Sequence, residues 1–223
     1  MTRTATRADA LLDALRDDIV NGHVAPGSRL GYADLREQYG ASSGVVREVL
    51  QRLTEQGLVT SIPQVGARVM TLSRTELTEL TEARVAIERA AIAVAAERGD
   101  LEWETEVVAA HHVLVRTPFT TSDALTSAWL PAHAVFHRTV LEGSGNRYLV
   151  ESAARLRTLA EVYRAWAHLT AVEDNRDIED EHRQIMESVL ARDASSAMDA
   201  IERHIRLTTE LLLAGRESSG HGD

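Results

Sequence analysis

The chain has neither cysteine nor lysine, and none of its apolar runs approaches the roughly 18 residues that a membrane-spanning helix requires. Without cysteine there are no disulfides, no thiolate nucleophile and no Cys-ligated zinc, so any metal site must be assembled from His, Asp and Glu. Without lysine, every fixed side-chain cation is an arginine. The start, Met1-Thr2-Arg3-Thr4-Ala5-Thr6-Arg7, passes straight into an acidic amphipathic stretch from Asp9 to Asp18 with no apolar centre, unlike a secretory signal. A cytoplasmic location with no membrane partner is expected.

What is present is unevenly spread. The net charge of −10 argues against nucleic acid only until it is divided. Residues 1–72 hold eight Arg and eight acidic residues, while residues 73–223 hold 16 Arg and 26 acids and carry the whole excess. Charge therefore neither supports nor excludes DNA binding, and pattern must decide.

The periodicity predicts an amphipathic helix over 7–21, with Leu11, Leu12, Leu15, Ile19 and Val20 at spacings of three and four, stopped by Asn21-Gly22. Pro26-Gly27 turns the chain. A short helix from Tyr32 to Tyr39 ends at Gly40, and Ser42 or Ser43 can cap a third helix that buries Val46, Val49, Leu50 and Leu53. After Gly57 the period becomes that of strands, Leu58 to Ile62 and Ala67 to Met70, around a turn at Pro63 to Gly66. From Ser73, which with Glu76 forms a capping box, only helices are expected: about 73–98, 101–116, 122–142, 147–169, 177–191 and 194–213. Pro131 should kink or break the third of these. The fold class is thus mostly α: a three-helix unit with a β-hairpin wing over 1–72, an all-α bundle over 73–216, and a Ser/Gly-rich, disordered tail over 217–223.

Val46-Arg47-Glu48-Val49-Leu50, preceded by Pro26-Gly27-Ser28-Arg29-Leu30 and Tyr39-Gly40 and followed by Gly57-Leu58-Val59 and Gly66-Ala67-Arg68-Val69, resembles the GntR family of bacterial regulators. The resemblance implies a winged helix-turn-helix that reads double-stranded DNA as a homodimer on a palindromic operator. Arg47, one turn into the recognition helix, suits a bidentate contact to guanine in the major groove. Ser42, Ser43 and Gly44 at the helix start, and Arg29, Gln64, Gly66 and Arg68 about the wing, complete the expected DNA-facing set. The bland alternatives are a surface Arg47 paired with Glu48 or Gln51, and a Gly66 required only by its turn. The family commonly has Ser-Arg-Thr-Pro where this chain reads Ser42-Ser43-Gly44-Val45, so one arginine contact is missing.

Four of nine histidines form a second pattern. His133 and His137 share a helix face, and His182 and His204 lie one on each of the last two helices. With Phe136-His137, Gly143-Ser144-Gly145-Asn146, Glu181-His182-Arg183 and Glu202-Arg203-His204, residues 75–212 resemble the FadR-like, FCD-type ligand-binding domain of GntR regulators. Metal-binding members carry Asp four residues before the Phe-His histidine; here that position is His133. The resemblance implies a divalent metal, zinc or nickel, on His133, His137, His182 and His204, and a small carboxylate effector met by Arg84, with Arg155 and Tyr163 as further candidates for the same space. Surface ion pairs with Glu151 or Glu88 and a packed Tyr are equally open for these three. Trp103, Trp129 and Trp166 read as core or dimer contacts, and the remaining histidines as surface or core.

A metalloenzyme is the rival from another class. However, Ala134 stands where a zincin-type site needs its general-base Glu, and Glu179-x-x-His182 finds no second copy because Ile201 occupies the matching position before His204. The reading that accounts for both halves is a metabolite-responsive repressor rather than an enzyme.

Overall fold

In the computed structural model, residues 6–121, 124–125, 128–166 and 177–218 are described. They fall into two compact units. One is formed by the chain up to Ser73 with the short stretch Glu161–Trp166; the other by Arg74–Ala160 and the described residues after 176.

The first unit contains α1 (Arg7–Val20), β1 (Arg29–Gly31), α2 (Tyr32–Tyr39), α3 (Ser43–Gln56), β2 (Val59–Ile62) and β3 (Gly66–Val69). Helix α1 begins with a capping box in which the Thr6 hydroxyl accepts from the Asp9 amide while the Asp9 carboxylate accepts from the Thr6 amide. Leu11, Leu12, Leu15 and Ile19 of α1 meet Val46, Val49, Leu50 and Leu53 of α3 in a core where all are under 8% exposed. Each such side chain contributes about 1.5–3 kcal/mol on burial. Polar ties join the helices: Tyr39 donates to Asp18 at 2.9 Å, and Arg52 to Asp9 at 2.9 Å. Gly40 ends α2 in the left-handed region (φ +58°), which makes the tight turn into α3.

The wing is larger than the expected hairpin. Strand β1 joins it, giving a three-stranded antiparallel sheet in the order β1-β3-β2, with Arg29 opposite Arg68 and Gly31 opposite Gly66. A three-residue strand carries no periodicity to read; its pairing partner lies more than 30 residues further on.

The second unit contains α4 (Arg74–Arg98), α5 (Leu101–Arg116), β4 (Thr120–Thr121), β5 (Ala124–Leu125), α6 (Trp129–Glu142), α7 (Arg147–Trp166), α8 (Ile178–Leu190) and α9 (Ala194–Ser218). Helix α4 packs along α9, with Ala91, Ala95 and Ala96 completely buried on its small-residue face. The described residues correct the sequence reading in three places. The stretch expected to open a helix at 122 holds a two-residue antiparallel ladder instead, Thr120 with Leu125 and Thr121 with Ala124. Helix α6 starts at Trp129, so Pro131 sits in its first turn, where no intrahelical amide bond is lost and the ring neither kinks nor breaks anything. Helix α9 continues to Ser218, past the expected start of the tail; the rest of that tail, and the expected continuation of α7 to 169, lie outside the described residues.

Candidate DNA-reading face and metal centre

In the first unit, Ser42 is the N-cap of α3: its hydroxyl accepts from the Val45 amide at 3.4 Å. Ser43 and Gly44 follow in the exposed first turn. No acid lies in that turn, so the positive end of the helix is uncompensated. Arg47 is exposed, and its guanidinium lies 5.7 Å from the Tyr32 ring centroid on α2. The competing partners are engaged elsewhere: Glu48 approaches Arg52 at 3.7 Å and Gln51 bonds Glu55 at 3.1 Å. Arg29 and Arg68 are exposed on adjacent strands, and Arg68 donates to the Gly27 carbonyl at 2.6 Å. Gln64 is exposed at the wing tip with φ +64°, in a region that non-glycine residues seldom occupy. Gly66, by contrast, is buried between β1 and β2 with φ +147°, and a Cβ there would collide with the Leu30 carbonyl. Strand packing alone accounts for this glycine.

In the second unit, α6 carries His133 and His137 one turn apart, α8 carries His182 and α9 carries His204. All four are at most 2% exposed, and each offers a ring nitrogen within 4.8 Å of the others. His133 Nε2 and His137 Nε2 are 3.0 Å apart. Nitrogens bound about 2.1 Å from one ion lie about 3.0–3.4 Å apart, so this spacing suits a shared metal. His204 Nδ1 is 2.8 Å from Glu181 Oε2. A proton on Nδ1, donated to that carboxylate, leaves Nε2 as the ligand atom, the arrangement by which outer carboxylates orient metal-binding imidazoles. The Trp129 ring stacks on His133 at 4.4 Å, and Phe136 lies 5.3 Å from the His182 ring, closing the cluster with aromatic surface. Burial, reinforced by the charge of Arg157 and by the other histidines, holds the His137 imidazole well below its ordinary pKa, hence neutral and able to ligate. Four buried imidazoles, with a carboxylate on the outer nitrogen of one, fit a divalent ion.

The same unit contains a charged group in its interior. Glu88, completely buried on α4, accepts from Arg84 Nε at 3.1 Å and from Arg157 Nη2 at 2.5 Å. Arg84 and Arg157 are themselves 6% and 4% exposed. Arg155, the α7 arginine singled out from the sequence, is on the exposed side of the helix, and Arg157 takes the interior position. Tyr163 is buried, in the α7 stretch that is grouped with the first unit. Arg157 and Glu181 escaped sequence reasoning, and Glu88, weighed from the sequence as a surface ion-pair partner, does pair with Arg84 but in the interior. For Glu181 a signal existed, since it adjoins a candidate ligand, but which of Glu179, Asp180 and Glu181 meets an imidazole depends on the position of α9. Trp103 is a core residue, donating from Nε1 to the Thr139 carbonyl at 2.7 Å.

Comparison with known proteins meets this geometry at both ends. The sequence profile of the bacterial regulatory proteins of the gntR family matches residues 7–69, and that of the FCD domain matches residues 79–207. The chain belongs to the GntR family, with an FCD domain. This GntR-family chain is 33% identical over 195 residues to the HTH-type transcriptional repressor GlaR of Escherichia coli, covering 86% of the chain and 89% of the relative. It is also 33% identical over 206 residues to the HTH-type transcriptional regulator BphR of Paraburkholderia xenovorans, covering 88% and 81%. In fold it is similar to McbR/YncC of Escherichia coli, with a TM-score of 0.77 and 18% identity over 94% of this chain and 98% of the other. A GntR regulator from Rhodococcus sp. RHA1 superimposes with a TM-score of 0.70 at 21% identity, over 93% and 98%. This GntR member is accordingly a DNA-binding transcription regulator, and the enzyme reading of its histidines falls. No helix among the described residues is long and apolar enough to cross a membrane.

Proposed function

We propose that this regulator is a repressor that binds a palindromic operator as a homodimer in the cytoplasm and is controlled by a small carboxylate at a metal-containing pocket. Residues 1–72 read DNA and residues 73–216 sense and dimerise. The observation that carries the reading is the convergence of four buried imidazoles within 4.8 Å in a domain that also holds the buried Arg84-Glu88-Arg157 group. His133, His137, His182 and His204 would hold the ion; zinc and nickel suit an all-nitrogen set. Bound there, the metal would supply open coordination positions to a carboxylate oxygen, with Arg84 as the fixed cation for the rest of the anion. Arg157 is a better second cation than Arg155, which faces solvent. That one 33% identical relative is named a repressor supports the sign of the response.

Arg47 would read a base pair in the major groove, with Ser42, Ser43 and Gly44 near the phosphates and Arg29, Gln64 and Arg68 along the wing. Gly66 shapes the wing from inside. Ligand binding shifts DNA affinity only as far as the effector discriminates between two states of the bundle, and the coupling is reciprocal. The test is a mobility shift on the region upstream of the protein's own operon, with metal analysis of the same preparation. Specific binding, about one divalent ion per chain, and a carboxylate that changes the affinity are expected. Specific binding with no metal, and a response unaltered by His137→Ala, would make the histidines structural and move the sensing site elsewhere.

A further inference from the structure

Helix α5 is apolar on two opposite sides. One stripe, Trp103, Val107, Ala110 and Leu114, is buried in the bundle core. The other is Leu101, Thr105, Val108, His112 and Val115, whose spacings of four, three, four and three are those of a coiled-coil seam. All five are exposed, Leu101 by 77%, Val108 by 46% and Val115 by 38%. The Thr105 hydroxyl is spent on the Leu101 carbonyl at 2.9 Å, which leaves its methyl to the outside. Leu190 of α8 lines the same depression as Leu101, Thr105, Val108 and His112, so the apolar surface extends beyond one helix. Scattered exposed hydrophobics need no partner, but a continuous seam in regular register does.

Charge along α5 says which partner. Its N-terminal half carries Glu102, Glu104 and Glu106, and its C-terminal half carries His111, His112 and Arg116 with no acid. On the seam's flank, Glu102 and Arg116 are two heptads apart on the same edge. In a parallel copy equivalent edges fall on opposite sides of the seam, so Glu102 never meets the partner's Arg116, and Arg116 faces the partner's His111 instead of an acid. An antiparallel copy sets each Glu102 against the partner's Arg116, and the pattern then matches itself about a two-fold axis at Val108.

We infer that α5 is the docking surface for the α5 of a second copy, antiparallel and centred on Val108, an assignment that rests on the homodimer proposed above. Leu101 then packs on the partner's Val115, Thr105 on the partner's His112, and Val108 on the partner's Val108. Small Ala109 on the flank permits close approach.

Sedimentation velocity on the full chain tests this. The wild type is expected as a dimer, and Val108→Glu, which opposes two carboxylates at the axis, should raise the dissociation constant about 100-fold or more. Glu102→Arg and Arg116→Glu should each weaken the dimer by about tenfold, and the two combined should restore it. Because the chain has no cysteine, single thiols report register directly. Val108→Cys should oxidise to a covalent dimer, whereas Leu101→Cys alone should not, its two copies being about 21 Å apart along the seam. Leu101→Cys mixed with Val115→Cys should cross-link. A wild type that stays monomeric would overturn the dimer itself. A dimer that survives Val108→Glu and fails to cross-link through Val108→Cys would leave the dimer standing and remove α5 from it. Efficient cross-linking of Leu101→Cys alone would overturn the antiparallel direction. The exposed charge and cysteine variants decide the matter even if Val108→Glu fails to fold.

Discussion

The two units use arginine in opposite ways. In the first, Arg29, Arg47 and Arg68 stand in solvent on a short helix and a small sheet, where a phosphate or a base edge can reach them. In the second, Arg84 and Arg157 are inside, sharing one fully buried carboxylate in the bundle that also encloses the histidines. Water screens the first set, so a large polyanion must engage several at once to be held; the interior magnifies the second set, so a single small anion can matter. That difference in dielectric suits the proposed division into a surface reader and a buried sensor, and the separateness of the two arginine sets is open to measurement.

The largest effect expected is on the buried side. His137→Ala or His182→Ala should remove the bound ion, read by elemental analysis, and abolish the effector response while operator binding persists. Glu181→Gln should weaken metal affinity about 10–100-fold, because the His204 ring loses the carboxylate that orients it. Loss of operator binding in the metal-free variants would join the units more tightly than the comparison allows.

Next comes Glu88→Ala, which deletes the carboxylate shared by two buried guanidiniums. Breaking a buried pair from one side costs about 3–5 kcal/mol, so thermal unfolding of the bundle should fall steeply. The exposed Arg47→Ala should leave the melting curve within about 0.5 kcal/mol of the parent. Equal destabilisation by both would erase the contrast between the arginine sets.

Arg47→Ala should instead act on specificity, costing about 1–3 kcal/mol at one base pair per half-site. Binding to operators altered one pair at a time will show whether the loss is confined to a position; a uniform loss would assign Arg47 to phosphate.

The smallest effect is with pH. His137 is held neutral, with its pKa depressed chiefly by burial, whereas in the unfolded chain it titrates near 6.5. Below that value the unfolded state binds a proton that the folded state refuses, so stability of the metal-free protein is fully present above about pH 6.5 and falls as pH drops, by up to about 1.4 kcal/mol per unit. Denaturant titrations at pH 7.5 and 5.5 measure the slope. A stability that rises on acidification would mean that the cluster takes up protons in the folded state.

Local pattern carried most of the first unit. The spacing of Leu11, Leu15 and Ile19, the stop at Gly40 and the cap at Ser42 each act within a turn or two of chain, and the observed α1, α2 and α3 start and stop within one residue of the pattern. Strand β1 did not show itself because its existence depends on β3, distant in sequence. Pro131 misled for a related reason: a proline interrupts a helix or opens one according to where the helix begins, and that start lies beside a β-ladder without helical period.

The histidine cluster was legible in part, since His133 and His137 must share a face whatever surrounds them, while His182 and His204 converge on them only because α6, α8 and α9 pack together. Which arginine of α7 is buried could not be read at all: Arg155 and Arg157 are two residues apart, on opposite sides of one helix, and only the packing of that helix selects between them. The sequence by itself determined most of the helices, the family and which histidines could cluster, because those are set by spacings within a turn and by chemistry no other side chain supplies. Tertiary structure alone decided which carboxylate orients His204, which glutamate binds two arginines in the dark of the core, and which stripe of α5 is left in water. Those choices depend on how helices remote in sequence are rotated about their own axes, and that rotation minimises exposed apolar area over the whole bundle, a sum to which no single segment holds the answer.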